Sequence, residues 1–483
     1  MASRAIRRVL FSLLAVWCCP PLVGARQAAT TSQEVQRLLA KYKQSTFTIH
    51  FCDAQTGRTV FAHQSEKPLI PASNMKVITT AAAIDQLGGD FEYKTVVGLL
   101  GDNLAVIGSG DPLTGDPVVA DRQERDIYYI FQEALKALQK REITELSGDL
   151  LIDDFLFDDQ RFHSSWLPSE ANRWYAAQIS AVNFNDNCVD FTLRPGRNAG
   201  AFARYDIEPQ TSYIQVGNKC RTITSGQQTA WASRQLGTNN ITLRGLVRYE
   251  HQLSVAIERP SAFLGQVLAE YLRDRDVSIK GKLVIKQLCD PQHRPPENME
   301  VLYTHRTPLS EVLPRANQDS LNMVAECLIK TVGAYYQPNG QGGVGQGSWQ
   351  SGREAVTAFL QKLNVSPSQF VIDDGSGLSR KNHLSARCLT GVLRYMYAHE
   401  SYEMFRDSLA TPAAGTLKKN GRFKEPKYAG RIYAKTGYIS RTWALSGYCR
   451  HRQGKWLAFS IIANNGTQSP RGAIDEIVRL IIE

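Results

Sequence analysis

The chain lacks the features of several protein classes. Its longest apolar run, Val9–Cys19, spans eleven residues with Ser12 inside it and is too short to cross a bilayer. There are no repeats at periods of 20–50 residues and no low-complexity tail, and the 483 residues include only 20 prolines and 36 glycines. The sequence therefore predicts no transmembrane segment, no repeat array and no disordered or collagen-like chain.

Metal-binding and common hydrolase motifs are also missing. The nine histidines show no His-Glu-x-x-His spacing, so we predict no metal and no cofactor. The Gly-x-Ser-x-Gly motif of α/β-hydrolases does not occur. The cysteines form no metal-type cluster; Cys188 and Cys220 lie in a strand-rich stretch and could be bridged or free, whereas Cys327 is typical of a small core residue.

The apolar run near the N-terminus is typical of a secretory signal peptide. Arg4, Arg7 and Arg8 precede it, and the small residues around Ala25 offer a cleavage site. We therefore expect residues 1–25 to be removed and the protein to be secreted across the cytoplasmic membrane into the periplasm or cell envelope. Removal lowers the formal net charge of +10 by three, to +7, because residues 1–25 carry three arginines and no acid. A basic exported protein favours anionic polymers or surfaces, and export argues against nucleic acid.

Hydrophobic periodicity predicts an α+β fold. Residues 45–63 alternate like a β-hairpin, and residues 91–298 consist mainly of short alternating segments. Near the end, residues 432–437, 442–450 and 456–464 predict three antiparallel strands, followed by a helix over 470–482. We expect the hairpin and the C-terminal strands to form one sheet covered by helices.

The first motif that carries chemistry is Ser73-x-x-Lys76, at the start of an alanine-rich helix. Three residues along a helix span about 4.5 Å and share a face, so the amine can reach the hydroxyl. The helix N-terminus favours developing negative charge, and burial beside another cation lowers the pKa of a lysine towards that of a usable base. An isolated pair of this kind is more typical of a helix-capping serine and a surface lysine.

Two further motifs follow in order. Ser320-x-Asn322 lies at a join between helices, where the hydroxyl can relay a proton and the amide can hold a peptide group. Lys435-Thr436-Gly437 ends an apolar strand, where Lys435 and Thr436 can hold a carboxylate and Gly437 lets a substrate backbone pass close. Taken singly, the two motifs are typical of a helix cap and of a strand end with a solvated lysine.

Each of the three motifs occurs once, in this order, and each lies on the element that the chemistry requires. The same trio is shared by penicillin-binding proteins and class A β-lactamases. Over nearly all of the mature chain the sequence resembles the low-molecular-mass penicillin-binding proteins that act as D-alanyl-D-alanine carboxypeptidases and endopeptidases, in the branch with a large insertion. Gly108–Pro112, Asn183–Asn187 and Asp374–Arg380 also resemble stretches of that branch, although Ala176 and Gln178 replace an expected glycine and proline.

The resemblance implies a catalytic trio. Ser73 attacks the carbonyl between two terminal D-alanines, Lys76 accepts its proton, and Ser320 with a lysine passes a proton to the departing D-alanine. Water then hydrolyses the acyl-enzyme. Which group is the base for acylation is left open.

It also implies how substrate is held. Lys435 and Thr436 bind the terminal carboxylate, with Gly437 beside them, and Asn322 binds the peptide amide. The backbone N–H groups of Ser73 and Tyr438 form the oxyanion hole. The implied partners are peptidoglycan stem peptides, with β-lactams as covalent inhibitors. An acidic cluster in the insertion, formed by Asp153, Asp154, Asp158 and Asp159, is a candidate receptor for a stem-peptide amine.

The spacing of the motifs predicts the domain organisation. Because Ser73 and Ser320 are 247 residues apart, far more than a compact catalytic domain needs, the excess must be separate domain material. We expect a β-lactamase/transpeptidase-like domain, an antiparallel sheet covered by helices, from residues 26–95 and 296–483. Residues 96–295 are expected to be a large, mainly β inserted region of two small domains.

Two other functions share parts of this pattern. A β-lactamase also forms an acyl-enzyme, but no Glu-x-x-x-Asn occurs to supply the water-positioning glutamate of the class A enzymes. A non-catalytic cell-wall-binding scaffold would be marked by a missing motif residue, and none is missing. We therefore predict a serine D-Ala-D-Ala carboxypeptidase or DD-endopeptidase, and leave the balance between the two activities and the oligomeric state open.

Overall fold

The computed structural model describes residues 32–337 and 343–483, and the predicted signal peptide lies outside these ranges. Residues 32–40 form helix α1. Further α-helices are α2 (Met75–Leu87), α3 (Pro117–Arg122), α4 (Tyr129–Gln139), α5 (Pro260–Arg273), α6 (Leu309–Asn317), α7 (Asn322–Tyr335), α8 (Trp349–Lys362), α9 (Ala386–Tyr397), α10 (Tyr402–Asp407), α11 (Gly415–Lys419) and α12 (Arg471–Ile482). Within the described ranges, no helix has both the length and the apolar character needed to cross a bilayer.

The strands are short in the middle of the chain and longer towards its ends. They are β1 (Thr46–Asp53), β2 (Thr59–His63), β3 (Glu92–Leu100), β4 (Asn103–Ile107), β5 (Glu145–Leu146), β6 (Leu150–Asp153), β7 (Cys188–Arg194), β8 (Arg204–Glu208), β9 (Gln215–Asn218), β10 (Arg221–Thr222), β11 (Trp231–Arg234), β12 (Asn240–Arg244), β13 (Leu246–Val247), β14 (His251–Ala256), β15 (Ser278–Ile279), β16 (Leu283–Ile285), β17 (Glu300–Pro308), β18 (Phe370–Val371), β19 (His383–Leu384), β20 (Ile432–Ile439), β21 (Thr442–Arg450) and β22 (Trp456–Asn464).

One antiparallel sheet joins the two ends of the chain, in the order β2-β1-β22-β21-β20. Strand β1 pairs with β22 along its whole length, from Thr46 opposite Asn464 to Asp53 opposite Leu457. Such pairing suits strands whose side chains alternate between two covered faces. The predicted α+β fold, with hairpin and C-terminal strands in one sheet, is confirmed.

Helices cover both faces of this sheet. On one face Phe459 and Ile461 of β22 pack in an apolar cluster with residues of α1 and α12. On the other face Ala458 and Ile462 belong to the cluster that includes residues of α2, α7 and α9. Because both faces are covered, β22 is buried at nearly every position. Strand β20 forms one edge of the sheet, and Ala434 on this edge is bridged to Ala410.

The middle of the chain forms the mainly β region that the sequence predicts. A five-stranded sheet has the order β16-β6-β4-β3-β17, and two three-stranded sheets have the orders β14-β7-β8 and β11-β12-β9. Helix α5 packs on β6 and β16, and α4 packs on β17. A second apolar cluster fills this region, with the rings of Phe131 and Phe184 stacked 4.8 Å apart between centroids.

We propose the same division of the folded chain into a domain of residues 26–95 and 296–483 and an inserted region of two small domains, 96–295, with one adjustment. Strands β3 and β17 pair from Glu92 opposite Pro308 to Leu99 opposite Glu300. This ladder crosses the boundary at 95/96, and its second strand lies wholly inside the 296–483 segment, so we place the two crossings between domains at its outer end, near residues 92 and 308.

The cysteines of the described residues are all free and buried. Cys188 and Cys220 are 2% and 0% exposed and belong to different apolar clusters, and both are free, so the alternative of a bridge between them is not realised. Cys327 is fully buried in the helix layer, which confirms its prediction as a core residue.

Candidate active site

The Ser73 hydroxyl lies where a tight turn enters a buried helix. Ala72–Asn74 form one turn of 3₁₀-helix that continues directly into α2. Ala72 has a positive φ of 47°, a strained conformation for a residue with a β-carbon, and such strain persists only where the surroundings enforce it. Ser73 itself is half-buried at the start of a helix whose first ten residues are buried. The turn thus presents one hydroxyl at the edge of the core.

Lys76 is the group that meets this hydroxyl. Its Nζ donates to Ser73 Oγ at 3.2 Å, to Asn322 Oδ1 at 2.6 Å and to the carbonyl oxygen of Ser376 at 2.9 Å. Complete burial lowers the pKa of Lys76 to about 7, although the carboxylates of Glu326 and Asp374 act in the opposite direction. An amine with this pKa is available as a base near neutral pH.

Ser320 occupies the sharp join between α6 and α7. Its φ of +64° lies in the left-handed region, which residues other than glycine rarely adopt. Lys435 Nζ donates to Ser320 Oγ at 2.8 Å. Burial, followed by the nearby charge of Lys76, holds the pKa of Lys435 well below its usual value. The second serine is therefore paired with a second buried amine within electrostatic reach of the first.

Strand β20 brings the third motif against the Ser73 turn. A β-carbon on Gly437 would lie 2.7 Å from Asn74 Nδ2 and 2.9 Å from the carbonyl oxygen of Pro71, so this close approach requires glycine. Thr436 Oγ1 donates to Thr416 Oγ1 at 2.8 Å. Tyr438, the next residue, is 60% exposed.

The sequence predicted that the Lys435-Thr436-Gly437 motif ends its strand, and this prediction is wrong. Strand β20 continues to Ile439, which pairs with Thr442 across a two-residue turn, so Lys435-Thr436-Gly437 lies inside the strand. Tyr438 is exposed, so no pattern of buried residues marks positions beyond Gly437 as part of the strand. This explains why the end of the strand was predicted two residues too early.

Asn322 links the site to the inserted region. Its Oδ1 accepts from Lys76, and its Nδ2 donates to the carbonyl oxygen of Tyr175 at 2.7 Å. One amide hydrogen of Asn322 is thereby used within the protein and the other is left for a ligand. The structure thus joins Ser73, Lys76 and Asn322 in one hydrogen-bonded set and Ser320 and Lys435 in a second, and the two amines are close enough to interact electrostatically. Thr436, Gly437 and Tyr438 follow Lys435 on strand β20.

A buried arginine ties the Ser320 join to the insertion as well. Arg315 is 5% exposed and forms ion pairs with Asp116 at 2.7 Å, Asp186 at 3.2 Å and Asp319 at 2.9 Å. Asp319 directly precedes Ser320, whereas Asp116 and Asp186 belong to the inserted region. Breaking a buried charge cluster of this kind is costly, so the insertion helps to fix the join.

Residues 374–379 form a loop, called the 374–379 loop below, that contacts the site through the carbonyl oxygen of Ser376. Asp374 Oδ1 accepts from the backbone N–H of Gly377, and its Oδ2 accepts from the N–H of Ser379 and from Trp166 Nε1. Through these bonds Asp374 stabilises the turn of the loop. The sequence did not reveal Glu326, which accepts from the backbone N–H groups of Gly375 and Ser376; its spacing of one helical turn from Asn322 is the signal that could have found it.

The acidic cluster is used inside the protein. Asp153 accepts from the backbone N–H groups of Leu288 and Cys289, Asp154 pairs with Arg161, and Asp158 pairs with Lys330. Three of the four carboxylates are thus engaged within the protein, and Asp159 is exposed. The receptor role of the cluster stays a prediction. Among residues 32–337 and 343–483, no group of three or more His, Cys, Asp or Glu could hold a metal ion.

The contact between Gly377 and the Ser73 turn leads to a stability prediction. Gly377 has a φ of 82°, and a β-carbon there would lie 1.9 Å from the carbonyl oxygen of Ala72. We expect Gly377→Ala to lower the free energy of unfolding by about 2–4 kcal/mol and to slow reactions at Ser73 at least about tenfold, because strain and clash combine. Urea denaturation and acylation kinetics measure the two effects.

Gly391→Ala is the matched control for this substitution. Gly391 lies inside α9 with nothing within 4 Å of the added β-carbon. Alanine there should raise the free energy of unfolding by about 0.5–1 kcal/mol, since it favours the helix. A Gly377→Ala protein as stable and as fast as the control would contradict the close contact.

The chain matches a known peptidase family along almost its whole length. The model of the D-Ala-D-Ala carboxypeptidase 3 (S13) family matches residues 31–483. The chain is 30% identical over 444 residues to the D-alanyl-D-alanine carboxypeptidase of Actinomadura sp. (strain R39), covering 86% of this chain and 77% of that protein. It is 24% identical over 406 residues to the D-alanyl-D-alanine carboxypeptidase DacB of Haemophilus influenzae, covering 81% and 79% of the two chains.

Solved structures show the same fold. Penicillin-binding protein 4 (dacB) from Haemophilus influenzae superposes with a TM-score of 0.75 at 21% identity, covering 92% of this chain and 97% of that one. The same protein complexed with a β-lactam superposes with a TM-score of 0.71 at 22% identity, covering 92% and 98%. With the matched family model and the shared arrangement of sheet and helices, the chain belongs to the D-Ala-D-Ala carboxypeptidase 3 (S13) family.

Proposed function

We propose that the protein is a serine DD-peptidase that hydrolyses the D-Ala-D-Ala bond of peptidoglycan stem peptides through an acyl-enzyme on Ser73. The observation that carries this proposal is the buried Lys76 amine 3.2 Å from Ser73 Oγ, with the Lys435–Ser320 pair, joined at 2.8 Å, within electrostatic reach of Lys76. A nucleophile with an adjacent base and a second proton-transfer pair is what acyl transfer to a peptide carbonyl needs.

In the acylation step, Ser73 Oγ attacks the carbonyl carbon and its proton passes to the neutral amine of Lys76. The backbone N–H groups of Ser73 and Tyr438 stabilise the oxyanion. As the C–N bond breaks, the departing D-alanine amine takes a proton through Ser320. In the second step, water adds to the ester, releases the shortened peptide and returns the proton to Ser73.

The substrate is held by groups around this carbonyl. Lys435 and Thr436 bind the terminal carboxylate, and the free amide hydrogen of Asn322 donates to the peptide carbonyl. The edge position of β20 supports this assignment, because an extended peptide can lie along an open strand edge. The pKa of Lys435 is lowered like that of Lys76, so the two amines remain alternatives as the base for acylation.

Penicillin enters the same pocket as a covalent inhibitor in this proposal. The Haemophilus influenzae protein of the same fold has been solved in complex with a β-lactam, which supports the proposal. The predicted signal peptide, residues 1–25, supports secretion to the periplasm or cell envelope, where the stem peptides are found. A terminal D-Ala-D-Ala and a D-Ala cross-link present the same bond, so carboxypeptidase and endopeptidase activity are both included.

Purified protein incubated with fluorescent penicillin and, separately, with a stem pentapeptide tests the proposal. Stable labelling with release of D-alanine supports a DD-peptidase. Rapid turnover of penicillin without a stable label would instead identify a β-lactamase. Neither labelling nor D-alanine release would identify a non-catalytic wall-binding scaffold.

A further inference from the structure

The 374–379 loop separates the Lys76 amine from a buried carboxylate. On one side of the loop, the carbonyl oxygen of Ser376 accepts from Lys76 Nζ at 2.9 Å. On the other side, the N–H of the same residue donates to Glu326 Oε1 at 2.8 Å. One residue of the loop thus carries a direct hydrogen-bonded connection between the two groups.

Glu326 is anchored by more than this bond. It lies on α7, fully buried, and its Oε2 accepts from the N–H of Gly375 at 2.9 Å and from Trp349 Nε1 at 2.7 Å. Three N–H donors therefore converge on one carboxylate. A buried carboxylate with three donors fixes the backbone that supplies them, because each unmade bond would leave a desolvated polar group.

The charges around this pair reinforce the connection. Burial, and next the carboxylate of Asp374, raise the pKa of Glu326 to about 7, while the pKa of Lys76 is lowered to about 7. The other charged or titratable groups facing them are Lys435 at the site, Lys330 on α7, whose Nζ lies 4.1 Å from the Trp349 ring centroid, and His163 of the insertion, which packs edge-on against the same ring.

We propose that Glu326 is a positioning residue that holds the Ser376 carbonyl against the Lys76 amine and supplies the negative charge that compensates it. The proposal rests on the proposed acylation of Ser73, and it takes Lys76 as the base of the two alternatives. In this proposal the 374–379 loop and Glu326 align the Lys76 amine, and the charge of Glu326 raises the pH at which that amine loses its proton.

The proposal is tested by the pH profile of acylation in Glu326→Gln. Glutamine has nearly the same shape but carries no charge, so the Lys76 amine should lose its proton at lower pH. We expect the acidic limb of the acylation rate by fluorescent penicillin to move down by about one pH unit. We also expect the rate at the optimum to fall at least about tenfold, because the loop is held less well.

Glu354→Gln provides the matched control, since Glu354 is exposed on α8. Its pH limb and rate should equal those of the wild type. If Glu326→Gln does not fold, as judged by near-ultraviolet circular dichroism, the pH profile of acylation is measured in Trp349→Phe instead. Loss of the indole donor makes the ionised Glu326 less stable, so the acidic limb should move in the same direction by a smaller amount.

Three outcomes are separable. A downward shift in either variant supports the role of Glu326. A slower reaction with an unmoved limb in Glu326→Gln, or, where that variant does not fold, in Trp349→Phe, means that Glu326 is only structural and overturns the proposal. A wild-type protein that penicillin does not acylate overturns the proposed function itself.

Discussion

We expect Ser73→Ala to abolish covalent labelling by penicillin and to lower D-alanine release by about 10⁴-fold or more, because the reacting oxygen is lost and nothing replaces it. Ser73 is half-buried in a tight turn that leads into α2, and alanine suits that conformation. The free energy of unfolding should therefore change by less than about 1 kcal/mol. Labelling, D-alanine release and urea denaturation measure the three quantities.

Ser310→Ala is the control for Ser73→Ala. Ser310 is exposed in the first turn of α6, so its loss should leave labelling unchanged and the free energy of unfolding within about 0.5 kcal/mol. Residual labelling of Ser73→Ala at the wild-type rate would show that another residue is the nucleophile.

The second large effect concerns Lys76. Lys76→Met keeps an unbranched side chain of similar length but removes the amine, so we expect acylation to slow by about 10³-fold. In the wild type, acylation should rise as the pH passes upward through about 7, since the Lys76 amine is protonated below that pH and is neutral, and so able to accept a proton, above it. Lys76→Met should lose this dependence.

The substitution also removes the donor to Asn322 Oδ1 and to the Ser376 carbonyl. These unmade bonds cost about 1–3 kcal/mol each, so stability has to be measured beside the rate. Lys362→Met, at an exposed lysine of α8, is the control and should change neither by much. A Lys76→Met protein that is acylated as fast as the wild type would assign the base to the Lys435–Ser320 pair.

The helices and strands that carry the site could be predicted from the sequence. Ser73-x-x-Lys76 shares one helical turn, so its contact follows from helix geometry alone. The joined sheet was predicted from the hairpin pattern of residues 45–63 and the apolar C-terminal strands, and both β1 and β22 are buried at nearly every position because helices cover both faces of the sheet. The roles of Ser320, Asn322 and Lys435 were predicted from the order of the three motifs, because each motif has a known place in the family that the sequence resembles.

Other features depend on contacts between distant segments, which one sequence does not display. Glu326 is a glutamate in an apolar helix, and its role depends on a loop some fifty residues further on that supplies two N–H donors. Cys188 and Cys220 share a strand-rich stretch, but the folded chain places them in two different apolar clusters, and both are free. The end of β20 was misplaced because an exposed tyrosine on an open edge has no burial pattern to mark it as a strand.

The insertion contributes to the site in a way that its sequence did not indicate. The carbonyl of Tyr175 accepts a hydrogen bond from Asn322, and Asp116 and Asp186 pair with Arg315, which lies five residues before Ser320. These contacts make the inserted region a support for the second motif. Its sequence showed only an alternating pattern, because each contact pairs an ordinary polar residue with a partner more than a hundred residues away.

Mass spectrometry of the penicillin adduct tests the central claim most directly. Protein saturated with benzylpenicillin should gain the mass of one penicilloyl group, and peptide mapping should locate it on the peptide that contains Ser73. An adduct on Ser320 or on any other residue, or no adduct at saturating penicillin, would contradict the assignment of Ser73 as the nucleophile.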